Sequence, residues 1–275
     1  MLKDKTIGFI GGGQMAEAIF SGALAAGMLR PGQVLLADAV ADRLDALGKT
    51  YGVQGLLNAA DGAGARRLVA QSDVVVLCVK PQLMRAVLEP VAEAFRPGQT
   101  VISIIGGMPL AALEGLLPNS PVIRVMPNTP MLVRLGSAGI APGAKATEAD
   151  VALCRTLFDA VGSSYLLPES QMDPLTAISG CGPAFVYLFI EALADGGVEQ
   201  GLPRALAQQL AAETLAGAAQ MVLQTGQHPA QLKDSVCSPG GGTIAGVHAL
   251  EAGGFRAAVL EAVAKSRRRM QELGQ

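Results

Sequence analysis

The sequence predicts an α/β fold: a doubly wound, mostly parallel sheet over residues 1–167, followed by an all-helical domain over residues 168–275. Three observations point there. The chain opens with an apolar strand, a glycine turn and a helix; short β-branched runs then alternate with helical periodicity up to Leu167; and beyond Pro168 the strand signals stop.

The first strand is Thr6–Ile10, and Gly11-Gly12-Gly13-Gln14-Met15-Ala16 leads from it into an alanine-rich helix ending near Ala26. Gly11, Gly13 and Ala16 match the dinucleotide fingerprint of a Rossmann-type sheet, with alanine where a small side chain lets helix and strand pack closely. The second strand, Val34–Ala37, ends at Asp38, near the ~20-residue spacing at which an acid accepts hydrogen bonds from the adenosine ribose. Asp38 would repel a 2′-phosphate, and Ala39 offers no cation to bind one, although Arg43 lies a helical turn further on. Asp38 can equally cap the helix Ala41–Tyr51.

Residues 53–67 are small, polar and glycine-bearing and read as a surface loop or short helix. Asp73–Val79 is an apolar run suited to a strand covered on both faces, and Lys80-Pro81-Gln82 at its end falls on the crevice edge where such sheets bind cofactors, or is a solvated loop. Further strands are expected at Thr100–Ile104, Pro121–Met126 and Gly139–Ala141, with helices near Leu83–Ala94, Leu110–Leu117 and Thr147–Val161. Met126-Pro127-Asn128-Thr129-Pro130 points Asn128 and Thr129 at the same crevice or makes a stiff structural turn.

The second half reads as helices through Met172–Ile178, Pro183–Gln200, Pro203–Gln224, Pro229–Val236, Thr243–Ala252 and Gly254–Leu273, with proline at three of the starts. Apolar helices without a sheet are too thin to cover their own faces, which predicts pairing with a second subunit. Glu191 and Asp195 read as helix-face charges.

Composition excludes several classes. A net charge of −2 gives no footprint for nucleic acid. Four scattered cysteines without a CxxC pair, and only His228 and His248 beside them, do not make a metal cage and read as reduced thiols. No apolar run is expected to reach the ~20 residues of a bilayer span, so the reading is a cytoplasmic protein without a membrane partner.

The most specific stretch is Ser238-Pro239-Gly240-Gly241-Gly242-Thr243. Glycines followed by threonine at a helix start expose backbone amides that favour a carboxylate or phosphate, with Ser238 and the Thr243 hydroxyl beside it. The same residues can be a plain loop, with Thr243 as the helix cap.

Taken together, the chain resembles the pyrroline-5-carboxylate reductases over nearly its whole length. The likeness rests on Gly11–Ala16, Val79–Gln82, Asn128–Pro130, Ser179–Ala184, Ala194–Gly197 with Gly201–Pro203, and Leu232–Gly246 with Leu250-Glu251. The resemblance implies reduction of 1-pyrroline-5-carboxylate to L-proline by NADPH or NADH, in a dimer that commonly assembles further to a decamer. It implies a coenzyme site built from Ile10, Gly11, Gly12, Gly13, Gln14, Met15, Asp38, Cys78, Val79, Lys80, Pro81 and Asn128. The substrate would be held by Ser238, Gly240, Gly241, Gly242 and Thr243, with Thr243 catalytic against the ring nitrogen. Asp38-Ala39 departs from the Asn-Arg or Ser-type turn of members that favour NADPH, which makes NADH use plausible and leaves NADPH open. The family's asparagine before the Lys80 strand aligns loosely with Asn58. The β-hydroxyacid dehydrogenases, similar in plan, use a lysine early in the long helix of the second domain, and Gly182–Glu191 contains none.

Overall fold

The computed structural model describes residues 2–273. The chain divides into two compact units, one running to Gly180 and including the end of the chain from Arg267, the other Cys181–Ser266.

The first unit holds eight strands: β1 (Ile7–Ile10), β2 (Val34–Asp38), β3 (Gln54–Leu57), β4 (Val74–Leu77), β5 (Thr100–Ser103), β6 (Val122–Met126), β7 (Gly136–Pro142) and β8 (Gly162–Leu166). They form one sheet in the order β3-β2-β1-β4-β5-β6-β7-β8. All neighbours are parallel except β6 and β7. The reason for the exception is the connection. Between β6 and β7 lies only a short 3₁₀ segment, Thr129–Val133, closed by Arg134 in the left-handed region at φ 59°. A parallel return needs a dozen or more residues, so the chain can only double back.

Helices α1 (Gln14–Ala25), α2 (Ala41–Tyr51), α3 (Ala63–Gln71), α4 (Met84–Leu88), α5 (Leu110–Leu116), α6 (Glu148–Asp159) and α7 (Met172–Leu175) accompany the sheet. Alternation along the strands makes two cores. Ile7 and Phe9 of β1, with Val34, Leu36, Val74 and Val76, bury against Ile19 and Phe20 of α1, Leu44 and Leu47 of α2, and Leu157 and Phe158 of α6. Ile10, Leu35, Val75 and Leu77 point the other way, onto Leu68 and Val69 of α3, Leu88 of α4 and Leu113 of α5. Phe20 stands edge-on between Phe9 and Tyr51, with ring centroids 5.8 and 5.3 Å away.

Two local expectations are corrected. Residues 53–67 contain an edge strand, β3, and the start of α3, which continues to Gln71. β3 gives almost no alternation because only Leu56 is buried, and Gly55 is small where its backbone presses on Leu44. The helix expected over Leu83–Ala94 is α4 flanked by 3₁₀ turns at Pro81–Leu83 and Glu89–Ala94, since Pro90 has no amide to continue the ladder.

The second unit is helical: α8 (Gly182–Glu199), α9 (Arg204–Thr225), α10 (Pro229–Ser235), α11 (Gly242–Ala252) and the start of α12 (Phe255–Leu273). A π-helical turn, Thr176–Gly180, precedes it in the first unit. Its buried core consists of Ala194, Ala207 and Ala211, with Ile190 and Val198 packed on them. By contrast Leu188, Leu223 and Leu260 are 67%, 75% and 72% exposed. An 18-residue stretch of the helical run Glu169–Glu199, which extends from the first unit into this one, has a mean hydropathy of 1.6 and is long and apolar enough to cross a membrane by length and composition alone, which corrects the expectation that no run reaches that measure. Asp195 pairs with Arg204 at 2.5 Å, as a helix-face charge does.

Candidate active site

The glycine turn after β1 is shaped by its neighbours. Gly11 sits at φ +101°, and a Cβ there would lie 2.7 Å from the Cys78 carbonyl oxygen, so only glycine lets β1 turn over the end of β4. Its amide donates to the Ala37 carbonyl at 2.8 Å, carrying the ladder one step past the strand. Gly13 is the N-cap of α1 without a capping side chain, and a Cβ on it would meet open space. The first intrahelical bond runs from Glu17 to the Gly13 carbonyl, so the amides of Gln14, Met15 and Ala16 precede the ladder. An open, positively polarised turn at the carboxyl end of a central strand, where the strand order reverses between β1 and β4, fits the pyrophosphate of a dinucleotide.

Gly12 is clasped from both sides. Its amide donates to Asp38 Oδ2 at 2.7 Å, and its carbonyl accepts from Arg43 Nε at 2.8 Å. The other Asp38 oxygen accepts from the Val40 amide at 2.9 Å. The N-cap of α2 is Val40, so Asp38 ties the two βα turns together instead of capping that helix. Arg43 also donates to Glu17 Oε2 at 2.5 Å, and the Tyr51 hydroxyl donates to Glu17 Oε1 at 2.8 Å. Burial would raise the Glu17 carboxyl, but the bonds from Arg43 and Tyr51 together hold it below its usual range. The bond to Glu17 in turn pushes the Tyr51 phenol up. Glu17 and Tyr51 escaped the sequence reading, although both lie on helices flanking the adjacent strands β1 and β2.

Across the crevice, Cys78 is half-buried and its thiol is pushed up by burial, which makes it a poor nucleophile. Val79 leads to Lys80, exposed at the start of the Pro81–Leu83 turn. Asn128 is buried with both ends of its amide engaged: Oδ1 accepts from the Ser137 amide at 2.8 Å, and Nδ2 donates to the Ser179 carbonyl at 3.1 Å. It therefore staples β7 and the π-helical turn to the end of β6. Asn58 accepts from the Ala65 amide at 2.9 Å and serves the start of α3.

In the second unit, Ser238–Gly241 forms a closed turn, with the Gly241 amide donating to the Ser238 carbonyl at 3.1 Å. Gly240 takes φ +68°, and a Cβ on Gly241 would collide with the Ser238 hydroxyl. α11 begins at Gly242 with Gly241 as N-cap, so Thr243 is the second helical residue and not the cap. The first ladder bond comes from Ala245 to the Gly241 carbonyl, leaving the amides of Gly242, Thr243 and Ile244 ahead of it. Among the described residues nothing engages the Thr243 hydroxyl, which stands exposed. Free amides beside a free hydroxyl can hold a carboxylate and orient a second polar group. The Lys233–Asp234 pair, 2.9 Å apart, lies on α10 just before this turn.

The comparisons with known proteins include full-length matches to one family. The family model described as pyrroline-5-carboxylate reductase dimerisation matches residues 169–273, and one described as NADP oxidoreductase, coenzyme F420-dependent, matches residues 6–107. A pyrroline-5-carboxylate reductase of Synechocystis is 45% identical over 98% of both chains, and that of Escherichia coli 41% over 98% of both. Among solved structures, the Plasmodium falciparum pyrroline carboxylate reductase with NADP bound superposes with a TM-score of 0.88 at 32% identity, covering both chains completely. The Coxiella burnetii pyrroline-5-carboxylate reductase gives 0.89 at 33%, covering 98% of this chain and 99% of that one. With likeness of this degree along its whole length, the chain belongs to the pyrroline-5-carboxylate reductase family.

Proposed function

We propose that the chain reduces 1-pyrroline-5-carboxylate to L-proline with NADH or NADPH, the final step of proline synthesis. The observation that carries this is the pair of anion-receiving helix starts: the Gly11–Gly13 turn with Asp38 beside it, and the Ser238–Thr243 turn with an unengaged hydroxyl. The coenzyme would be held by Ile10–Met15, Asp38, Cys78–Pro81 and the loop carrying Asn128; when bound, its reduced nicotinamide supplies the hydride. The amides of Gly240–Thr243, with Ser238, anchor the substrate carboxylate. Thr243 hydrogen-bonds the ring nitrogen and relays a proton to it from water, because a neutral hydroxyl is too weak an acid to give up its own. Positioning of the two reactants then supplies much of the rate.

Residues 1–167 would serve as the dinucleotide domain and 168–275 as the substrate-binding and dimerisation domain, in a cytoplasmic dimer able to assemble to a decamer. The exposed leucines of α8 and α12 support a protein partner for that surface. The test is oxidation of NADH and NADPH, followed at the nicotinamide absorbance with 1-pyrroline-5-carboxylate supplied and proline identified as the product. Turnover with either coenzyme is expected; none, in folded and associated protein, overturns the reading.

A further inference from the structure

We propose that Glu17, steadied by Tyr51, is a specificity-determining residue of the coenzyme site: it holds Arg43 inward on the Gly12 carbonyl and so withholds that guanidinium from a 2′-phosphate, making the site selective for NADH. This rests on the reductase reading and deepens it. Arg43 is the cation one helical turn past Asp38, where a phosphorylated ribose would look for a partner. Here two of its five N–H donors are engaged, Nε on Gly12 and Nη2 on Glu17, which holds the fork inward on the glycine turn, with 32% of the arginine and 24% of the glutamate side chain exposed.

The charge-assisted bond to Glu17 is among the stronger kinds in proteins, and the bond to the Gly12 carbonyl adds a second tether. Turning Arg43 toward a phosphate would leave a half-buried carboxylate short of its cation and the Gly12 carbonyl without its donor. Tyr51 blocks the obvious escape, a rotation of Glu17 with the arginine, because its ring is fixed against Phe20 and its hydroxyl grips the other carboxylate oxygen. Asp38, already committed to the Gly12 and Val40 amides, stays in place as the ribose acceptor and repels a 2′-phosphate. Coenzyme choice is thus set by a residue of α1 that need not touch the coenzyme.

The test compares wild type with Glu17→Gln, Tyr51→Phe and Glu17→Gln/Arg43→Gln, reading the ratio of kcat/KM for NADPH to that for NADH. It also reads calorimetric affinities for 2′,5′-ADP and ADP, which need no turnover. Wild type is expected to favour NADH and ADP. Glu17→Gln is expected to raise both phosphorylated-to-plain ratios by about tenfold, the worth of one charge-assisted bond. Tyr51→Phe should shift both ratios the same way but less, and removing Arg43 in the double variant should erase the gain. A wild type that favours NADPH, ratios unmoved in Glu17→Gln, or a gain that survives loss of Arg43 each overturn the proposal. Wild type without turnover but with the ADP ratios shifting as stated would instead sink the reductase reading and leave the Glu17 latch standing.

Discussion

At the scale of single residues, Thr243 carries the sharpest expectation. Among the described residues nothing engages its hydroxyl, and it is not the helix cap, so Thr243→Ala removes no hydrogen bond seen within them. Melting temperature and NADH affinity should therefore hold, while kcat falls by roughly a hundredfold, the low end of what a positioned proton-handling group contributes. Unchanged kcat in stopped-flow or steady-state assays would remove Thr243 from the chemistry. Lys80 and Asn128 separate in the same way. Lys80 is exposed, whereas Asn128 is buried and its amide is bonded at each end to a backbone group, which fixes the loop around it.

At the scale of elements, the β1–α1 turn is the feature most dependent on one residue. Gly11→Ala puts a side chain at φ +101° and against the Cys78 carbonyl, and strain of this kind costs about 1–3 kcal/mol. A fall in thermal stability together with loss of ADP binding is expected by calorimetry; retention of both would mean the turn relaxes at no cost. This turn was legible in the sequence because a Gly-x-Gly-x-x-Ala motif, an apolar strand and a helix all said the same thing. The strand Val74–Leu77 was legible for a like reason, being buried on both faces and continuously apolar, and Thr100–Ser103 by its β-branched run Thr100-Val101-Ile102. β3 was not, because an edge strand with one buried side chain has no period to read. The Glu17–Arg43–Tyr51 network was invisible for a different reason: its members are far apart along the chain and meet only once β1 and β2 pair. The Ser238–Thr243 turn was legible as a glycine turn opening a helix, but the helix start lay one residue earlier than its threonine suggested.

At the scale of the whole molecule, the two units are unequally built. The sheet unit has two cores, while the helical unit buries three alanines and leaves Leu188, Leu223 and Leu260 largely uncovered. Apolar helices with so little covered surface gain their stability from a partner, in line with the dimerisation description that matches residues 169–273. Leu188→Glu, on α8, should weaken self-association by at least about tenfold, since covering a leucine is worth about 1.5–3 kcal/mol. Sedimentation equilibrium over a dilution series reads this directly, and an unaltered dimer would place the partner on another face.

The two-sided clasp on Gly12 has a consequence for how coenzyme preference can change. Its grip comes from Asp38, at the end of β2, and from Arg43, within α2. Whatever descends from this chain inherits the shape of the β1–α1 turn along with the end of β2, as one parcel. Preference should accordingly pass between relatives by exchange of the whole β2–α2 segment with its matching residue on α1, and lineages that altered one member alone would meet a poorer enzyme before a different one.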